Sequence, residues 1–434
     1  MTIEYIKKSE KKAESDQSGV QETVQKILHE IEKQGNKAAI KFTKEFDKWD
    51  GEILLSEEKI DQANNIPQKL KDDIHFAYEN ISKFAEAQKA TISDCELEVR
   101  PGFITGQKHI PISAAGCYVP GGRYSHIASA IMSITTAKVA GVKHITACSP
   151  PKPGLGIPPA IVYTMKLCGA DSILNMGGVQ GVAAMAFGLF GLPKVDILAG
   201  PGNQYVAEAK RILFGRVGID MFAGPTDSMV LADSTADPEI VAMDLVGQAE
   251  HGYNSPVWLV TTDRELANKV LEIAPKLIDE LPELNANNAK AAWNDYAEVI
   301  LCSDREQMAK VADDYAPEHL QVQADDLDWW LNRLSVYGSL FLGEETTVAF
   351  GDKASGPNHV LPTSGAANYT GGLSVHKFMK TVTWQRSSRE GMRPVALATA
   401  RISREEGMEG HARSADIRLQ KFYPNEAFDL GESL

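Results

Sequence analysis

The segment Val195-Asp196-Ile197-Leu198-Ala199-Gly200-Pro201-Gly202 is a short apolar run that stops at a glycine-proline-glycine turn. Two similar runs precede it. Ile145–Cys148 stops at Ser149-Pro150-Pro151, and Ser172–Met176 stops at Gly177-Gly178. Alanine-rich helical segments lie between these runs and after them. Short buried strands that alternate with helices are typical of a parallel, doubly wound sheet.

A second series of strand-like runs continues the pattern towards the C-terminus. Its members are Val230–Ala232, Val257–Val260, Val299–Leu301, Leu320–Val322 and Ser339–Leu342. The predicted fold class is therefore α/β, with two Rossmann-like doubly wound parallel-sheet domains. We also expect a C-terminal extension, mainly helical over residues 386–413. At the other end we expect a helical N-terminal arm, of which residues 1–19 are polar and loosely held.

The composition excludes several kinds of partner. The chain of 434 residues carries a net charge of −14, which argues against nucleic acid because phosphate binding needs a basic surface. It has no run of about 18 apolar residues and no apolar N-terminal signal segment, so we expect neither a membrane span nor export. The five cysteines are scattered, which fits reduced thiols. These features predict a cytoplasmic enzyme.

Four short patches place a histidine beside or near a carboxylate or an amide. They are Gln248–His251, Pro317–His319, Gly351–His359 and Glu406–His411. Nitrogen and oxygen ligands without a thiolate suit zinc in a catalytic role, if the fold brings them together. A Glu-His pair can also transfer protons without a metal. Taken singly, each patch is equally typical of a solvated turn or helix surface, so the residues alone leave both interpretations open.

Longer strings around these patches resemble the histidinol dehydrogenase family over nearly the whole chain, from about Val20 to Arg418. The matching strings, in the order of the family, are Gly116–Gly122, Gly200–Asn203, Ala223–Pro225, Gln248–Gly252, Pro317–Leu320 and Asn358–Thr363. The resemblance implies an NAD-dependent zinc enzyme that oxidises an alcohol through an aldehyde to a carboxylate. It also implies a homodimer in which a C-terminal arm of each subunit reaches into the other subunit's site.

The resemblance assigns roles to single residues. The zinc ligands that it implies are Gln248, His251, Asp352 and His411. The residues expected to contact NAD are Tyr118, Gln180 and Asn203. Substrate contacts are expected from Thr226, His359 and Glu406. Glu318 and His319 match the acid/base residues, with His319 taking the proton of the alcohol and Glu318 activating water for the second step. The usual GxGxxG dinucleotide fingerprint is absent.

The predicted domain boundaries combine the sheets with this resemblance. The main domain is discontinuous, with residues 20–117 and 230–370, and it carries the metal and acid/base residues. Residues 118–229 form an incomplete Rossmann domain that binds NAD. Residues 371–434 form the extension that crosses the dimer.

Several positions depart from what an amino-alcohol substrate needs. Arg123, His126 and Lys353 add positive charge near a site that should hold a cation if the substrate is histidinol. Positive charge suits an anionic substrate instead. The pattern resembles the sulfopropanediol 3-dehydrogenase branch of the family, which oxidises 2,3-dihydroxypropane-1-sulfonate to sulfolactate. L-Histidinol, favoured by Glu406, is the alternative substrate. A metallohydrolase and a non-catalytic binding module are the alternatives from other functional classes.

Overall fold

The strands form three sheets, two of them built around parallel strands. This computed structural model describes residues 3–11, 19–121, 126–221 and 224–431. The strands are β1 (Glu4–Lys7), β2 (Cys95–Arg100), β3 (Phe103–Pro111), β4 (Ala114–Tyr118), β5 (His144–Ser149), β6 (Ser172–Asn175), β7 (Ile197–Ala199), β8 (Gly218–Ile219), β9 (Ser228–Ala232), β10 (Val257–Thr261), β11 (Glu298–Leu301), β12 (His319–Gln323), β13 (Ser339–Leu342) and β14 (Met379–Ser387).

The helices account for most of the remaining regular structure. They are α1 (Val20–Gln34), α2 (Asn36–Phe42), α3 (Glu57–Gln62), α4 (Gln68–Ala90), α5 (Ile127–Ala130), α6 (Thr136–Ala140), α7 (Pro159–Cys168), α8 (Gly178–Phe187), α9 (Gln204–Leu213), α10 (Pro238–Ala249), α11 (Arg264–Asp279), α12 (Glu283–Tyr296), α13 (Arg305–Tyr315), α14 (Leu327–Arg333), α15 (Val348–Lys353), α16 (Arg389–Glu405) and α17 (Glu409–Phe422). Helical turns of the π type lie at Thr43–Asp47 and Ile131–Thr135, and of the 3-10 type at Ala366–Asn368 and Val375–Phe378. No helix among the described residues is long and apolar enough to cross a membrane.

Strands β4 to β8 form a parallel sheet in the order β6-β5-β4-β7-β8. The first strand in the chain, β4, lies in the middle of this sheet. Strands β5 and β6 follow on one side of it, and β7 and β8 lie on the other side. Every residue of β4 and β7 is buried. Strands buried on both faces are continuous apolar runs rather than alternating ones. The sheet confirms the doubly wound arrangement predicted for this part of the chain.

The second parallel sheet contains β9 to β13, with β1 added at one edge, in the order β1-β11-β10-β9-β12-β13. It also starts in the middle, at β9, and its order reverses between β9 and β12. All five strands predicted for it are present, which confirms the second doubly wound sheet.

Strand β1 corrects the prediction that residues 1–19 are loosely held, because Glu4–Lys7 pairs antiparallel with β11. Ile6 packs with the apolar cluster that contains Val299, whereas Tyr5 packs with the cluster that contains Ile300. Alternate side chains of a strand point to opposite faces of the sheet. Two adjacent apolar residues therefore anchor a segment whose composition is mostly polar.

The protein has two units, and both parallel sheets belong to the first, which comprises Met1–Lys89 and Ile112–Phe378. The second unit comprises Ala90–Pro111 and Met379–Leu434. It contains an antiparallel sheet in the order β14-β3-β2 and the helices α16 and α17, which pack on each other through small and aliphatic side chains. These helices confirm the predicted helical C-terminal region. The antiparallel sheet was not predicted, because β2 is exposed along its whole length and has no apolar run.

Candidate active site

A cavity of ≈ 520 Å³ opens in the first unit, bordered by the carboxyl end of β4 and the turn after β7. The order of the five-stranded sheet reverses between these two strands, and ligands of doubly wound sheets bind at such a point. Tyr118 is the last residue of β4, and Asn203 lies in the turn that follows β7. Both line the cavity together with Gln180 from the first turn of α8. The structure thus brings together the three side chains predicted to contact NAD.

Hydrogen bonds with the neighbouring backbone hold two of these side chains. The hydroxyl of Tyr118 accepts a bond from the N–H of Gly178 (3.0 Å). Asn203 caps α9, because its Oδ1 accepts from the N–H groups of Tyr205 (3.0 Å) and Val206 (3.1 Å). Two helix N-termini, those of α8 and α9, therefore border the cavity. Such termini favour the negative charge of a pyrophosphate.

The turn after β7 requires a glycine at position 200. Gly200 has a φ of +110°, and a Cβ there would lie 2.0 Å from the carbonyl oxygen of Tyr118. The N–H of Gly200 donates to Asp220 Oδ2 (2.8 Å), and its carbonyl oxygen accepts from Lys210 Nζ (3.0 Å). Lys210 and Asp220 form a buried ion pair. This pair therefore fixes the turn that carries Asn203.

Asp47 lines the same cavity and was not predicted. Its Oδ2 accepts from the N–H of Gly177 (3.0 Å) and from Gln180 Nε2 (2.9 Å), so it orients one of the predicted NAD residues. Burial raises the pKa of the Asp47 carboxyl, and these two hydrogen bonds oppose the rise. Asp47 lies in a π-helical turn more than a hundred residues from its partners, so no local pattern marks it.

The Glu318-His319 pair lies at the amino end of β12, beside the amino end of β9. Both side chains are buried. Nδ1 of His319 lies 3.6 Å from Glu318 Oε2 and 3.1 Å from the carbonyl oxygen of Asp227. A carbonyl oxygen only accepts, so Nδ1 carries a hydrogen and the lone pair of the neutral ring is on Nε2. Nε2 lies 3.7 Å from Asp352 Oδ1 and has no hydrogen-bond partner in the part of the chain that the structure describes.

The environment of the pair shifts the proton affinities of its members. Burial raises the pKa of Glu318 to about 8, a rise that the charge of His319 opposes and that of Asp227 reinforces. Burial lowers the pKa of His319, but the Glu318 and Asp352 carboxylates outweigh this and raise it. Burial would also raise the pKa of Asp352, yet its contacts with His251 and His319 hold that pKa well below the usual range. Asp352 therefore stays ionised beside two groups that can exchange protons near neutral pH.

Asp352 and His251, two of the predicted zinc ligands, meet in the first unit, where His251 Nε2 lies 3.6 Å from Asp352 Oδ2. Gln248 is on the last turn of α10, which packs against α15, the helix of Asp352. Its Oε1 is buried and, among the described residues, lacks a hydrogen-bond partner. A buried oxygen without a partner costs free energy unless a ligand satisfies it. Gly351 permits the close packing of α15, since a Cβ there would lie 2.5 Å from the Phe341 ring.

This donor set fits an open, catalytic type of zinc site. Catalytic zinc has three protein ligands from histidine and carboxylate side chains and leaves a position for substrate. No group of three or more His, Cys, Asp or Glu side chains suited to a metal occurs within residues 3–11, 19–121, 126–221 and 224–431. An amide, that of Gln248, would have to be the third donor. The fourth predicted ligand, His411, is exposed on α17 in the second unit, and Glu406 is exposed directly after α16.

Some of the residues predicted to contact substrate lie near Asp352. His359 Nδ1 donates to the carbonyl oxygen of Asp352 (2.8 Å), and its Nε2 lies 3.1 Å from the hydroxyl of Ser129. Lys353 is exposed at the end of α15. Burial, together with the charges of the nearby His359, Lys353 and His251, lowers the pKa of His126 to about 4. His126 is thus close to three other basic side chains.

The two remaining predicted substrate residues are placed differently. Thr226 is half-buried and directly precedes Asp227, whose backbone contacts the acid/base pair. Arg123 lies outside the described residues. Asp227 and Ser129 were not predicted, because neither stands in a patch that combines a histidine with a carboxylate.

A doubly wound sheet with a cavity at its switch point and a buried Glu-His pair fit a dehydrogenase that uses a dinucleotide. A family model described as histidinol dehydrogenase matches residues 10–419. The chain is 69% identical to sulfopropanediol 3-dehydrogenase of Ruegeria pomeroyi, over 99% of both chains. It is 37% identical to histidinol dehydrogenase of Gluconobacter oxydans, over 94% of both chains. The crystal structure of histidinol dehydrogenase from Elizabethkingia anophelis superimposes with a TM-score of 0.88 at 34% identity, covering 95% of this chain and 94% of that one. The chain belongs to the histidinol dehydrogenase family.

Proposed function

We propose that this chain is a zinc- and NAD-dependent dehydrogenase that oxidises 2,3-dihydroxypropane-1-sulfonate through the aldehyde to sulfolactate. The observation that carries the substrate assignment is the full-length 69% identity with a sulfopropanediol 3-dehydrogenase. The buried Glu318-His319 pair supports the chemistry, because an imidazole and a carboxyl group of different proton affinity can divide the transfers of two steps. The lysine and histidine side chains near Asp352 supply hydrogen-bond donors for an anionic substrate.

Zinc and NAD would supply the part of the chemistry that the side chains cannot provide. Zinc would act as a Lewis acid towards the substrate hydroxyl, and NAD would accept a hydride in each step. The proposed zinc ligands in the first unit are Gln248, His251 and Asp352. The proposed NAD contacts are Tyr118, Gln180 and Asn203.

His319 would take the proton of the alcohol in the first oxidation. Its Nδ1–H donates to the Asp227 carbonyl, which leaves the Nε2 lone pair directed away from that bond. Nε2 is buried and without a partner among the described residues, so a substrate hydroxyl would satisfy it. The carboxylate of Asp352, 3.7 Å away, would stabilise the imidazolium that forms.

Glu318 would activate water for attack on the aldehyde in the second oxidation. Its raised pKa makes its carboxylate a stronger base than an exposed glutamate, once it is ionised. Over both steps, one diol, one water and two NAD⁺ give one carboxylate, two NADH and three protons. Those protons leave through groups such as His319 and Glu318, which can exchange them with solvent between turnovers.

Lys353, His126 and His359 are the described residues that we propose for binding the sulfonate. A lysine bound to a sulfonate makes a charge-assisted contact, and its loss would leave the anion without that partner. A bound anion would also favour the protonated form of His126, which burial and its basic neighbours disfavour. Arg123 is proposed as a further contact from its sequence position alone.

The test is steady-state NAD reduction with the sulfonate diol and, separately, with L-histidinol. We expect the sulfonate diol to be preferred. Lys353→Met should cost about 1.5–3 kcal/mol of binding, or roughly ten- to more than a hundredfold in KM. The turnover number should change little, because the sulfonate is remote from the reacting carbon. Lys310→Met, which removes an exposed lysine on α13, is the matched control and should leave KM unchanged.

A preference for L-histidinol would overturn the sulfonate assignment and make histidinol dehydrogenase the function. Glu406 is the residue that favours this second candidate, since a carboxylate would pair with an amine. Equal kinetics of Lys353→Met and the wild type with the sulfonate diol would remove Lys353 from the proposed anion site.

The proposed assembly is a homodimer with shared sites. His411 of the partner subunit would be the fourth zinc ligand, and Glu406 of the partner subunit would reach the substrate. The domains predicted from the sequence, with an extension over residues 371–434, are part of this proposal. We propose a cytoplasmic location, in keeping with the scattered free cysteines.

A further inference from the structure

Asp227 is hydrogen-bonded to both members of the acid/base pair, Glu318 and His319. It directly precedes β9, and it is 5% exposed. Its N–H donates to Glu318 Oε2 (3.2 Å), while the N–H of Glu318 donates to Asp227 Oδ1 (2.7 Å). The backbone of each residue thus holds the carboxylate of the other. The first bond holds the Glu318 carboxylate directly, and the second holds the Glu318 backbone against the Asp227 side chain.

The same residue also orients His319. The Asp227 carbonyl oxygen accepts from His319 Nδ1 (3.1 Å) and from the backbone N–H of His319 (3.4 Å). The ring orientation and the tautomer of His319 therefore depend on where the backbone of Asp227 lies. The Asp227 side chain anchors that backbone. Its Oδ1 accepts from the N–H of Glu318, and its Oδ2 accepts from the N–H of Ser364 (3.4 Å).

Both oxygens of the Asp227 side chain serve as acceptors for backbone N–H groups. A carboxylate can accept at each oxygen, whereas an asparagine has one acceptor oxygen and an NH₂ group in place of the other. An asparagine would leave either the Glu318 or the Ser364 N–H facing another donor. Ser364 has a φ of 56°, which is uncommon for a residue other than glycine, so its turn depends on such support.

We infer that Asp227 is a positioning residue that holds Glu318 and His319 in their reactive geometry and ties them to the turn at Ser364. It acts through the pair and touches no reacting atom. The inference rests on the proposed roles of Glu318 and His319, but not on the identity of the alcohol.

The experiment is a double-mutant cycle on turnover. It uses whichever of the sulfonate diol and L-histidinol the wild-type enzyme oxidises, so that a failed substrate assignment does not affect the outcome. Asp227→Asn should lower kcat roughly ten- to a hundredfold, with little change in the KM of the alcohol or the Kd of NAD. In the Glu318→Gln background the same change should lower kcat much less, because residues that act as a unit are not additive.

The matched control is Asp313→Asn. Asp313 Oδ1 accepts from two backbone N–H groups, those of Ser335 and Val336 (both 3.2 Å), beside an ion pair with Arg333. This variant should lower the urea midpoint while kcat stays within twofold of the wild type. Asp227→Glu, which keeps two acceptor oxygens on a longer side chain, replaces Asp227→Asn if the latter does not fold.

Equal fold losses from the Asp227 variant in the wild-type and Glu318→Gln backgrounds would overturn the inference, because a merely structural role is additive. A loss confined to KM or to NAD affinity would also overturn it. If kcat in both Asp227 variants equals that of the wild type, the pair does not depend on Asp227.

Discussion

The chemistry of His319 depends on a hydrogen bond to a backbone carbonyl rather than to a side chain. Where a side chain sets the tautomer of a histidine, mutation can remove that partner, but a backbone carbonyl group cannot be removed in this way. The Asp227 carbonyl keeps the hydrogen on Nδ1 whatever the charge on Glu318. The neutral ring therefore keeps its lone pair on Nε2, while the charge on Glu318 affects how strongly that nitrogen holds a proton.

The acid/base pair gives the first prediction at the residue scale. His319→Ala and Glu318→Gln should each lower turnover roughly a hundredfold or more. The Glu318→Gln enzyme should be impaired most with the aldehyde as substrate, since Glu318 is proposed to activate water. The measurements are single-turnover rates with alcohol and with aldehyde, together with the Kd of NAD, which should be unchanged. Near-normal rates in both variants would show that these residues are not the catalytic pair.

Burial of Glu318 gives a prediction about stability and pH. A carboxyl group with a pKa of about 8 in the folded protein and an ordinary value near 4.5 in the unfolded chain binds more protons when folded. The free energy of unfolding should therefore fall as pH rises from about 4.5 to 8. Glu318→Gln should remove this slope and raise the stability of chelator-treated protein at pH 8 by more than about 1.4 kcal/mol, the equivalent of one pKa unit.

Urea unfolding at pH 5 and pH 8 measures this effect. Little or no gain is expected at pH 5, where most of the buried carboxyl is already protonated. Glu306→Gln, which changes an exposed glutamate that pairs with Arg333, serves as the control. An equal effect of Glu318→Gln at both pH values would contradict the prediction.

The unpartnered amide of Gln248 gives a prediction about zinc. The purified protein should contain about one zinc per chain, and chelation should abolish turnover until zinc is restored. Gln248→Leu should reduce the zinc content and, in metal-free protein, should not lower stability, because it removes a buried oxygen that has no partner among the described residues. Metal analysis and thermal melts check both parts. Full activity of metal-free protein would rule out the zinc proposal.

Residue types could be predicted from the sequence better than residue contacts. Gln180 pairs with Asp47, and His359 pairs with Ser129, although the partners are far apart in the chain. No local sequence pattern marks Asp47 or Ser129. Gln248, His251 and Asp352 were marked by their chemistry, and the structure adds that His251 and Asp352 meet. Their role as metal ligands is still a prediction.

At the scale of secondary-structure elements, the candidate site residues lie at opposite strand ends in the two parallel sheets. The cavity lined by Tyr118, Gln180 and Asn203 lies at the carboxyl end of β4, where doubly wound sheets bind their ligands. Glu318 and Asp227 instead precede β12 and β9, at the amino ends of the strands where the second sheet reverses its order. Strand patterns predict both sheets, but they do not reveal which end carries chemistry, because that depends on loops from elsewhere in the chain.

The cap of α9 gives a prediction at this scale. Asn203→Ala should remove two hydrogen bonds at the helix N-terminus, costing about 1 kcal/mol of stability, and it should also weaken NAD binding. Asn203→Asp should keep the cap. Its negative charge at the cavity should nevertheless weaken NAD binding, because the pyrophosphate is anionic.

The control is Asp304→Ala, which removes the cap of α13. It should cost a similar amount of stability without changing the Kd of NAD. Isothermal titration with NAD and urea unfolding separate the two effects. Unchanged NAD affinity in both Asn203 variants would place the cofactor elsewhere.

At the scale of the whole molecule, the C-terminal part of the chain was the hardest to predict. A mainly helical structure was predicted for residues 386–413, and α16 with the first part of α17 confirms it. The sheet of β2, β3 and β14 was not predicted, because most of its side chains are at least partly exposed and its strands come from two distant parts of the sequence. The pairing of such strands depends on their turns and on the neighbouring segments of the fold. Neither produces an apolar pattern in the sequence.

Subunit exchange tests the proposed dimer. His411→Ala and His319→Ala chains should each be inactive alone. Mixed dimers would contain one site with neither change if His411 enters the site of the partner subunit. Activity should therefore return after exchange, to at most about half of the wild-type value per mixed dimer, since the other site carries both changes. Verified exchange without recovery would assign His411 to the site of its own subunit.

Strand β1 has a practical consequence for handling the protein. Without it, β11 would become the edge of the six-stranded sheet and would offer Val299, Ile300 and Leu301 to any other extended chain. A truncation that removes residues 4–7, or a bulky affinity tag fused tightly before them, would favour intermolecular strand addition and precipitation during purification. A tag at this end should be joined through a flexible linker and cleaved before crystallisation or long storage.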